Sequence, residues 1–225
     1  MSAAATLHER HKHPLAQVLQ SVGPQCCPTR VNLHCHTHCS DGSLSPQDLA
    51  HQAITIGLEH LAVTDHHSTA AHAPIAAELA ARAAKGNRVP QFWRGVEISA
   101  LLDGCLVHVL ALGFGAEHVS LSPYLEGVSQ VGPALQAGAV VQAIHACGGL
   151  ALLAHPARYR LPHQRLIAAA AELGFDGAET WYDYSMQPLW SPTPVVCDAI
   201  SRDLTKRGLL QSCGTDTHGH DLCGR

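Results

Sequence analysis

Residues Val31 to Gly42 read VNLHCHTHCSDG, an apolar run that ends in a cluster of His, Cys and Asp. His34 and His36 are two positions apart. In an extended strand both imidazoles therefore face one way, and Cys35 faces the other. Asp41 follows after a short turn, which gives three potential metal ligands within eight residues. Two neutral imidazoles on one face of a strand end suit a borderline transition metal such as Zn or Mn. A lone HxH pair fits partly exposed structural histidines equally well. Matching ligands at the ends of other strands decide between the two.

The elements that would position such ligands are legible further along. Val31–Cys35 reads as a first strand. Ser45-Pro46 opens a helix, with Ser45 as N-cap and Pro46 at the first helical position, and Gly57 closes it. Residues 59–64 form a short apolar run of the buried parallel kind, and they deliver Asp65, His66 and His67 to its C-terminal end. This is a βαβ unit, and it implies a parallel sheet or barrel. An Ala-rich helix over 73–84 follows.

Two strands over 91–100 and 105–114 come next, joined by a turn at 101–104. A regular hairpin centred in that turn makes Glu97 and His108 direct cross-strand neighbours, able to share a metal. Helices are expected over 121–130, 133–147, 161–173 and 195–207. Strands over 150–154, 176–180 and 209–213 present His155, Glu179 and the Gly214–Gly219 run. About seven strands thus carry His, Asp or Glu near their C-terminal ends, where barrels of this kind place active sites.

Composition narrows the classes. A chain of 225 residues with 46% hydrophobic content is long enough for one self-sufficient core. It contains no apolar run of membrane-spanning length. Net charge is −4, with no Lys/Arg run, which argues against stable binding of duplex nucleic acid. A small phosphorylated substrate stays compatible, because bound divalent metals supply positive charge. The first residues lack a basic-then-apolar export layout. The nine cysteines form no C-x-x-C pair and read as reduced thiols of a cytoplasmic protein. Residues 1–30 are assigned no chemistry, as a tail or short helix and a Pro/Gly-rich loop, with the domain over 31–225. His8, His11 and His13 are expected to be solvated. His38, His60, His72, His118, His145, His163 and His220 are expected on the surface or in loops. Cys35 is expected to face the core.

LHCHTHCSDG, GLEHLAVTDHH, GVEIS, VHVLALG, LLAHPARY and GTDTHG occur in the order found in PHP-domain (polymerase and histidinol phosphatase) proteins, and the chain over about 31–225 resembles that family. The resemblance implies an α/β fold, a distorted (β/α)7 barrel. It also implies two to three divalent metal ions: Mn, Zn or Fe, with Mg a further candidate. His34, His36, Glu97 and Asp216 would hold the first. Glu97, His108 and His155 would hold the second. Asp41, His66 and His218 would hold the third. Mixed carboxylate and imidazole donors suit these metals, with positions left for water and substrate oxygens.

The implied reaction is hydrolysis of a small phosphate ester, a nucleotide or nucleoside phosphate or a short oligonucleotide, by metal-activated hydroxide. His67 and Asp65 are candidates for proton transfer at the leaving oxygen, and Asp65 alternatively for orienting a ligand histidine. Arg158 is the candidate phosphate clamp, with Arg160 as the alternate. Glu179 is either hydrogen-bonded in the barrel mouth or in contact with substrate.

Other readings share parts of this pattern. A histidinol-phosphate-type phosphatase would use the same metal set in a longer chain. A 3′–5′ exonuclease fits poorly with the acidic balance. An amidohydrolase often needs a modified bridging lysine, and the lysines here, Lys12, Lys85 and Lys206, lie at no strand end. A non-catalytic metal-bound domain is disfavoured because every ligand position is filled.

Overall fold

The computed structural model describes residues 12–116, 119–187 and 189–224. Seven strands follow one another in a single sheet: β1 Val31–Asn32, β2 His60–Val63, β3 Gln91–Leu102, β4 Cys105–Leu112, β5 Leu150–Leu153, β6 Gly177–Trp181 and β7 Leu210–Cys213. All neighbours are parallel except β4, which runs against both β3 and β5. Between them lie α2 Pro46–Ile56, α3 His72–Ala84, α4 Ala137–Ala146, α5 His163–Glu172 and α6 Pro194–Arg207, and α1 Pro14–Leu19 precedes the sheet.

The two ends of the sheet meet where the ligands are. Leu33 N donates to Cys213 O at 3.1 Å, Asp216 N to His34 O at 2.8 Å and His36 N to Thr217 O at 3.1 Å. The first strand is shorter than expected because these bonds replace a regular ladder beyond Asn32.

Helix ends follow local chemistry. The Ser45 side chain accepts the Asp48 N–H, Pro46 occupies the first turn of α2, and Gly57 ends it in the left-handed region. Pro194 opens α6, Lys206 and Arg207 sit in its last turn, and Gly208 closes it.

The hairpin departs from expectation. Its turn is the two-residue pair Asp103-Gly104, both at positive φ (50° and 69°), the pattern of a type I′ turn. The register is therefore Ser99 opposite His108 and Glu97 opposite Leu110. The shift is two residues, so Glu97 and His108 keep one face and become diagonal neighbours.

The helix expected over 121–130 is instead a 3-10 helix at Val119–Tyr124 with Pro123 inside it, followed by irregular chain. The helix expected over 133–147 is a 3-10 turn at Gly132–Leu135 and then α4. Gln136 is extended between them and begins the helix anew.

Residues 12–30 are no loose tail. His13 Nδ1 accepts the Leu15 N–H at 3.1 Å and its Nε2 bonds Gly113 O at 3.1 Å, so His13 caps α1 rather than being solvated. Leu15, Ala16 and Leu19 are buried with Leu110, Leu112, Leu150, Leu152 and Leu210. Short helix α1 thus plugs the end of the sheet opposite the ligands. His8, His11 and His118 lie outside the described residues. A second core, with Ile98, Val107, Val141, Leu153 and Ile167, lies under α4 and α5, and a third, with Leu49, Leu61, Val63 and Ile75, lies under α2 and α3. Cys35 is buried in the third, its thiol directed at Ala62 O. Among the described residues no helix is long and apolar enough to cross a membrane.

Candidate metal centre

The residues expected as ligands converge at one end of the sheet, with Glu97 inside β3 and His108 in the first half of β4. His34 Nε2 lies 3.0 Å from Glu97 Oε2 and 3.2 Å from Asp216 Oδ1, and His36 Nε2 lies 3.1 and 3.3 Å from the same two oxygens. Glu97 Oε1 faces His108 Nδ1 at 2.9 Å and His155 Nε2 at 3.2 Å. Asp41 Oδ2 faces His218 Nε2 at 3.2 Å and His66 Nε2 at 3.7 Å, and His66 Nε2 is also 3.6 Å from Glu97 Oε2. Three overlapping groups of ligand atoms result: His34, His36, Glu97 and Asp216; His66, Glu97 and His108; and His36, Asp41, His66 and His218. Glu97 belongs to two of them, and His155 joins through its contact with Glu97 Oε1.

The donor set fits metal ions. His36 Nδ1 and Nε2, Glu97 Oε1, His108 Nδ1 and His155 Nδ1 are buried without a hydrogen-bond partner. Leaving such atoms unpaired is costly, and a cation at the centre of each group satisfies several at once.

Two glycines let the chain close around these rings. A Cβ on Gly42 would lie 2.6 Å from the carbonyl of His36, and one on Gly214 would overlap the Cβ of His34. His155 (φ 24°) and Asp216 (φ 53°) sit in the left-handed region, which costs about 1–3 kcal/mol each for such residues and is tolerated where the surroundings enforce it.

Charge in the cluster is organised by burial. Burial opposes the charged form of Glu97 and Asp216, yet the surrounding histidines hold both carboxyls well below their ordinary range. His36 is likewise buried, and the carboxylates of Asp216 and Glu97 close to its Nε2 outweigh burial and push it up to about 9. His66 is pulled down to about 4, chiefly by burial, and is neutral at pH 7.

Around the ligands sits a ring of supports. Glu179, fully buried, places both oxygens 3.1 Å from His34 Nδ1 and accepts the His155 N–H at 2.9 Å. Of the two roles open to it, the structure gives the hydrogen-bonded one. It orients His34 as carboxylates orient metal-binding histidines. Tyr182 OH donates to Asp216 Oδ2 at 2.6 Å, and Tyr159 OH accepts the His108 N–H at 2.7 Å. Sequence reasoning missed both tyrosines. The available signal was that Tyr159 and Tyr182 closely follow strands β5 and β6 in a chain with four tyrosines.

Arg158 Nη1 bonds Tyr182 OH and Asp216 Oδ2, each at 2.9 Å, and the residue lines a cavity of about 430 Å³ with His66, Glu97, His108, Tyr159 and His218. Arg160 instead bonds Gly104 O on the hairpin.

Two expected catalytic residues are placed elsewhere. Asp65 Oδ1 accepts Thr37 N at 2.7 Å and Ser40 Oγ at 2.8 Å, and Oδ2 accepts Thr37 Oγ at 2.7 Å. It therefore shapes the loop that carries Asp41 and orients no ligand histidine. His67 is buried, with both ring nitrogens engaged outside the cavity. Of the histidines expected on the surface, His38 and His220 are exposed. His60 accepts the Trp93 indole N–H, His72 bonds Gly95 O, and His145 pairs with Asp176 at 2.8 Å. Lys12, Lys85 and Lys206 are all exposed.

The family model of the PHP domain matches residues 32–146, more than half of the chain. The chain belongs to the PHP domain family. It is 36% identical over 94 residues to the 5′-3′ exoribonuclease Rnm of Escherichia coli K12, a match covering 42% of this chain and 31% of that protein. It is 32% identical over 120 residues to the 3′,5′-nucleoside bisphosphate phosphatase of Chromobacterium violaceum, covering 52% of this chain and 40% of that protein. The chain thus matches well under half of the length of these relatives. The solved structure of an amidohydrolase from Chromobacterium violaceum, with bound sulfate and no metal, superposes with a TM-score of 0.71 at 21% identity, over 86% of this chain and 90% of that one. This likeness shows a shared fold.

Proposed function

We propose that the protein is a metal-dependent phosphoesterase that hydrolyses a small phosphate ester of the nucleotide class. The observation that carries this reading is the set of three overlapping ligand groups, two of them sharing Glu97, beside a cavity lined by Glu97 and Arg158. Nine residues would hold two to three divalent ions of the Mn, Zn or Fe type: His34, His36, Asp41, His66, Glu97, His108, His155, Asp216 and His218. Such ions, when bound, supply activated water at neutral pH and neutralise phosphate oxygens.

The chain's own residues do the rest. Burial works against the Arg158 charge, but Tyr182 and Asp216 hold its pKa above the ordinary arginine value, so a guanidinium is fixed at the cavity wall, where it can grip a phosphate oxygen. Tyr159, pushed well up by burial, keeps its proton beside the same cavity and can donate it to a substrate oxygen. Glu179 holds His34 in the tautomer that turns Nε2 to the metal.

The nucleotide assignment draws on the substrate named for the Chromobacterium phosphatase. A second reading, an exonuclease acting on short oligonucleotides, is favoured by the exoribonuclease relatives, whose polarity is 5′–3′ where the sequence alone suggested 3′–5′. All nine cysteines are free, which supports a reducing, cytoplasmic setting.

The test is a panel of aryl phosphates, nucleoside 3′,5′-bisphosphates and short oligonucleotides, assayed with Mn, Zn and Mg beside metal analysis. Turnover of bisphosphates, abolished in Asp216→Ala along with metal content, is expected. Metal binding with no turnover on any ester rejects the enzyme reading.

A further inference from the structure

The two ends of the sheet, β1 and β7, meet along a seam whose ladder is irregular. Leu33 N donates to Cys213 O at 3.1 Å. A regular parallel ladder bonds through every second residue and would next give the Thr215 N–H to Leu33 O. Thr215 N donates instead to the Asn32 side chain, at 3.1 Å from Oδ1. Main-chain bonding resumes one residue on, with Asp216 N to His34 O at 2.8 Å and His36 N to Thr217 O at 3.1 Å. Asn32 is fully buried and commits its whole amide to this seam. Oδ1 also accepts the His34 N–H at 3.4 Å, and Nδ2 donates to Thr215 Oγ1 at 2.9 Å. Two backbone N–H groups need an acceptor, so the orientation of the amide follows from its partners. Gly214 permits the close approach, since a Cβ there would overlap the Cβ of His34.

One residue of register reverses the face that a side chain presents, so this slip bears on the chemistry. With it, Asp216 Oδ1 stands 3.2 Å from His34 Nε2 and 3.3 Å from His36 Nε2. Two of the three ligand groups straddle the seam: His34 and His36 with Asp216, and His36 and Asp41 with His218. The group of His66, Glu97 and His108 does not.

We propose that Asn32 is a positioning residue: its amide sets the register across the seam, and metal binding by the two straddling groups depends on it while the His108 group does not. The proposal deepens the metal-dependent reading and rests on it for the ions.

The test compares wild type, Asn32→Ala, Asn32→Asp and Thr215→Val, with zinc as the probe. NMR of the imidazole nitrogens during zinc addition reports His34 and His36 separately from His108. Urea unfolding of the metal-free proteins reports the fold. In Asn32→Ala the His34 and His36 signals are expected to respond at about 10- to 100-fold higher free zinc, with His108 responding at the wild-type concentration. A general loosening of the fold would lower the urea midpoint and move all three signals alike. Asn32→Asp keeps acceptors for both N–H groups and should restore the His34 and His36 response at wild-type zinc or lower. Thr215→Val loses only the Nδ2 contact and should shift the same two signals by less. Equal shifts at His34, His36 and His108, or no shift in folded Asn32→Ala, overturn the proposal. Should Asn32→Ala fail to fold, the same two results in Thr215→Val overturn it. Wild type whose His34 and His36 do not respond to zinc overturns the metal reading and the proposal together. Failure to hydrolyse any ester removes the enzyme reading alone and moves none of these signals.

Discussion

Replacing Glu179 with Gln tests whether the buried carboxylate tunes a metal site. Glu179 is fully buried, presents both oxygens to His34 Nδ1 at 3.1 Å, and accepts the His155 N–H at 2.9 Å. Gln keeps the shape and one acceptor oxygen. It loses the charge, and its amide nitrogen then faces either an N–H of His155 or the protonated Nδ1 of His34. A hydrogen bond to a charged group is worth about 1.5–3 kcal/mol and a neutral one about 1 kcal/mol. The exchange therefore removes about 1–2 kcal/mol of orientation and basicity from His34, or roughly 5- to 30-fold in affinity for the ion that His34 would bind.

Chelator-competition titration of the metal-free protein measures this directly. The loss should fall on the site containing His34, Glu97 and Asp216, with the Asp41, His66 and His218 group spared. Circular dichroism and thermal unfolding in the metal-free state show whether the variant folds. If folded Glu179→Gln takes up metal with wild-type stoichiometry and affinity, the role given to this carboxylate is wrong.

Leu15→Ala should destabilise the fold by about 2–5 kcal/mol, read as a lower midpoint in urea, because α1 is packed under the strands; a shift below about 0.5 kcal/mol contradicts the plug. Metal uptake should release protons, seen as buffer-dependent heat in calorimetry, because His36 is held to about 9 by Asp216 and Glu97 and a metal must displace that proton. The same shift fixes the pH dependence of the metal-free protein. Since the folded value is raised, this stabilisation is fully present below about pH 6.5 and is lost as pH rises through about 9, so metal-free melting temperature should fall over that interval. Metal-loaded protein should not follow that fall, and a parallel decline in both forms refutes the assignment.

The convergence of these side chains was legible because strand alternation and strand ends are written in local sequence. HxH fixes a common face for His34 and His36, and short apolar runs end at Asp65-His66, His155 and Asp216. The hairpin register was not read correctly. Asp103-Gly104 is a two-residue turn signal, and a four-residue turn placed the fold point one residue early, moving Glu97's partner from Leu110 to His108. The error left the chemistry intact because a two-residue slip preserves the face. Asp65 and His67 were misread for a different reason. Proximity in sequence to His66 places them near the site, but which way a side chain turns beyond a strand end depends on partners such as Thr37, Ser99 and Tyr124, which come from distant segments. The short helix expected within residues 1–30 is α1, but its packing and the capping role of His13 were not read, because six residues are too few for a periodic pattern to show.

The reversed strand β4 and the shared carboxylate have one origin. In a regular β/α unit each strand offers ligands only at its C-terminal end, with a helix separating it from the next. Here β3 continues past the level of β2 and turns back through Asp103-Gly104 into β4. Glu97 therefore lies within a strand rather than in a loop, and His108 lies near the start of the next strand, on the same face. A carboxylate whose backbone is held by the β4 ladder on one side and a bridge to His66 on the other has its two oxygens fixed in direction. One faces His34 and His36, and the other faces His108 and His155. Serving two ligand groups at once requires that fixity, since a carboxylate on a mobile loop could rotate to serve one side only. The departure from a regular barrel is thus the feature that makes one glutamate available to two sites. The support from Tyr159 to the His108 backbone N–H keeps the second strand in register where its ladder to β5 has not yet begun.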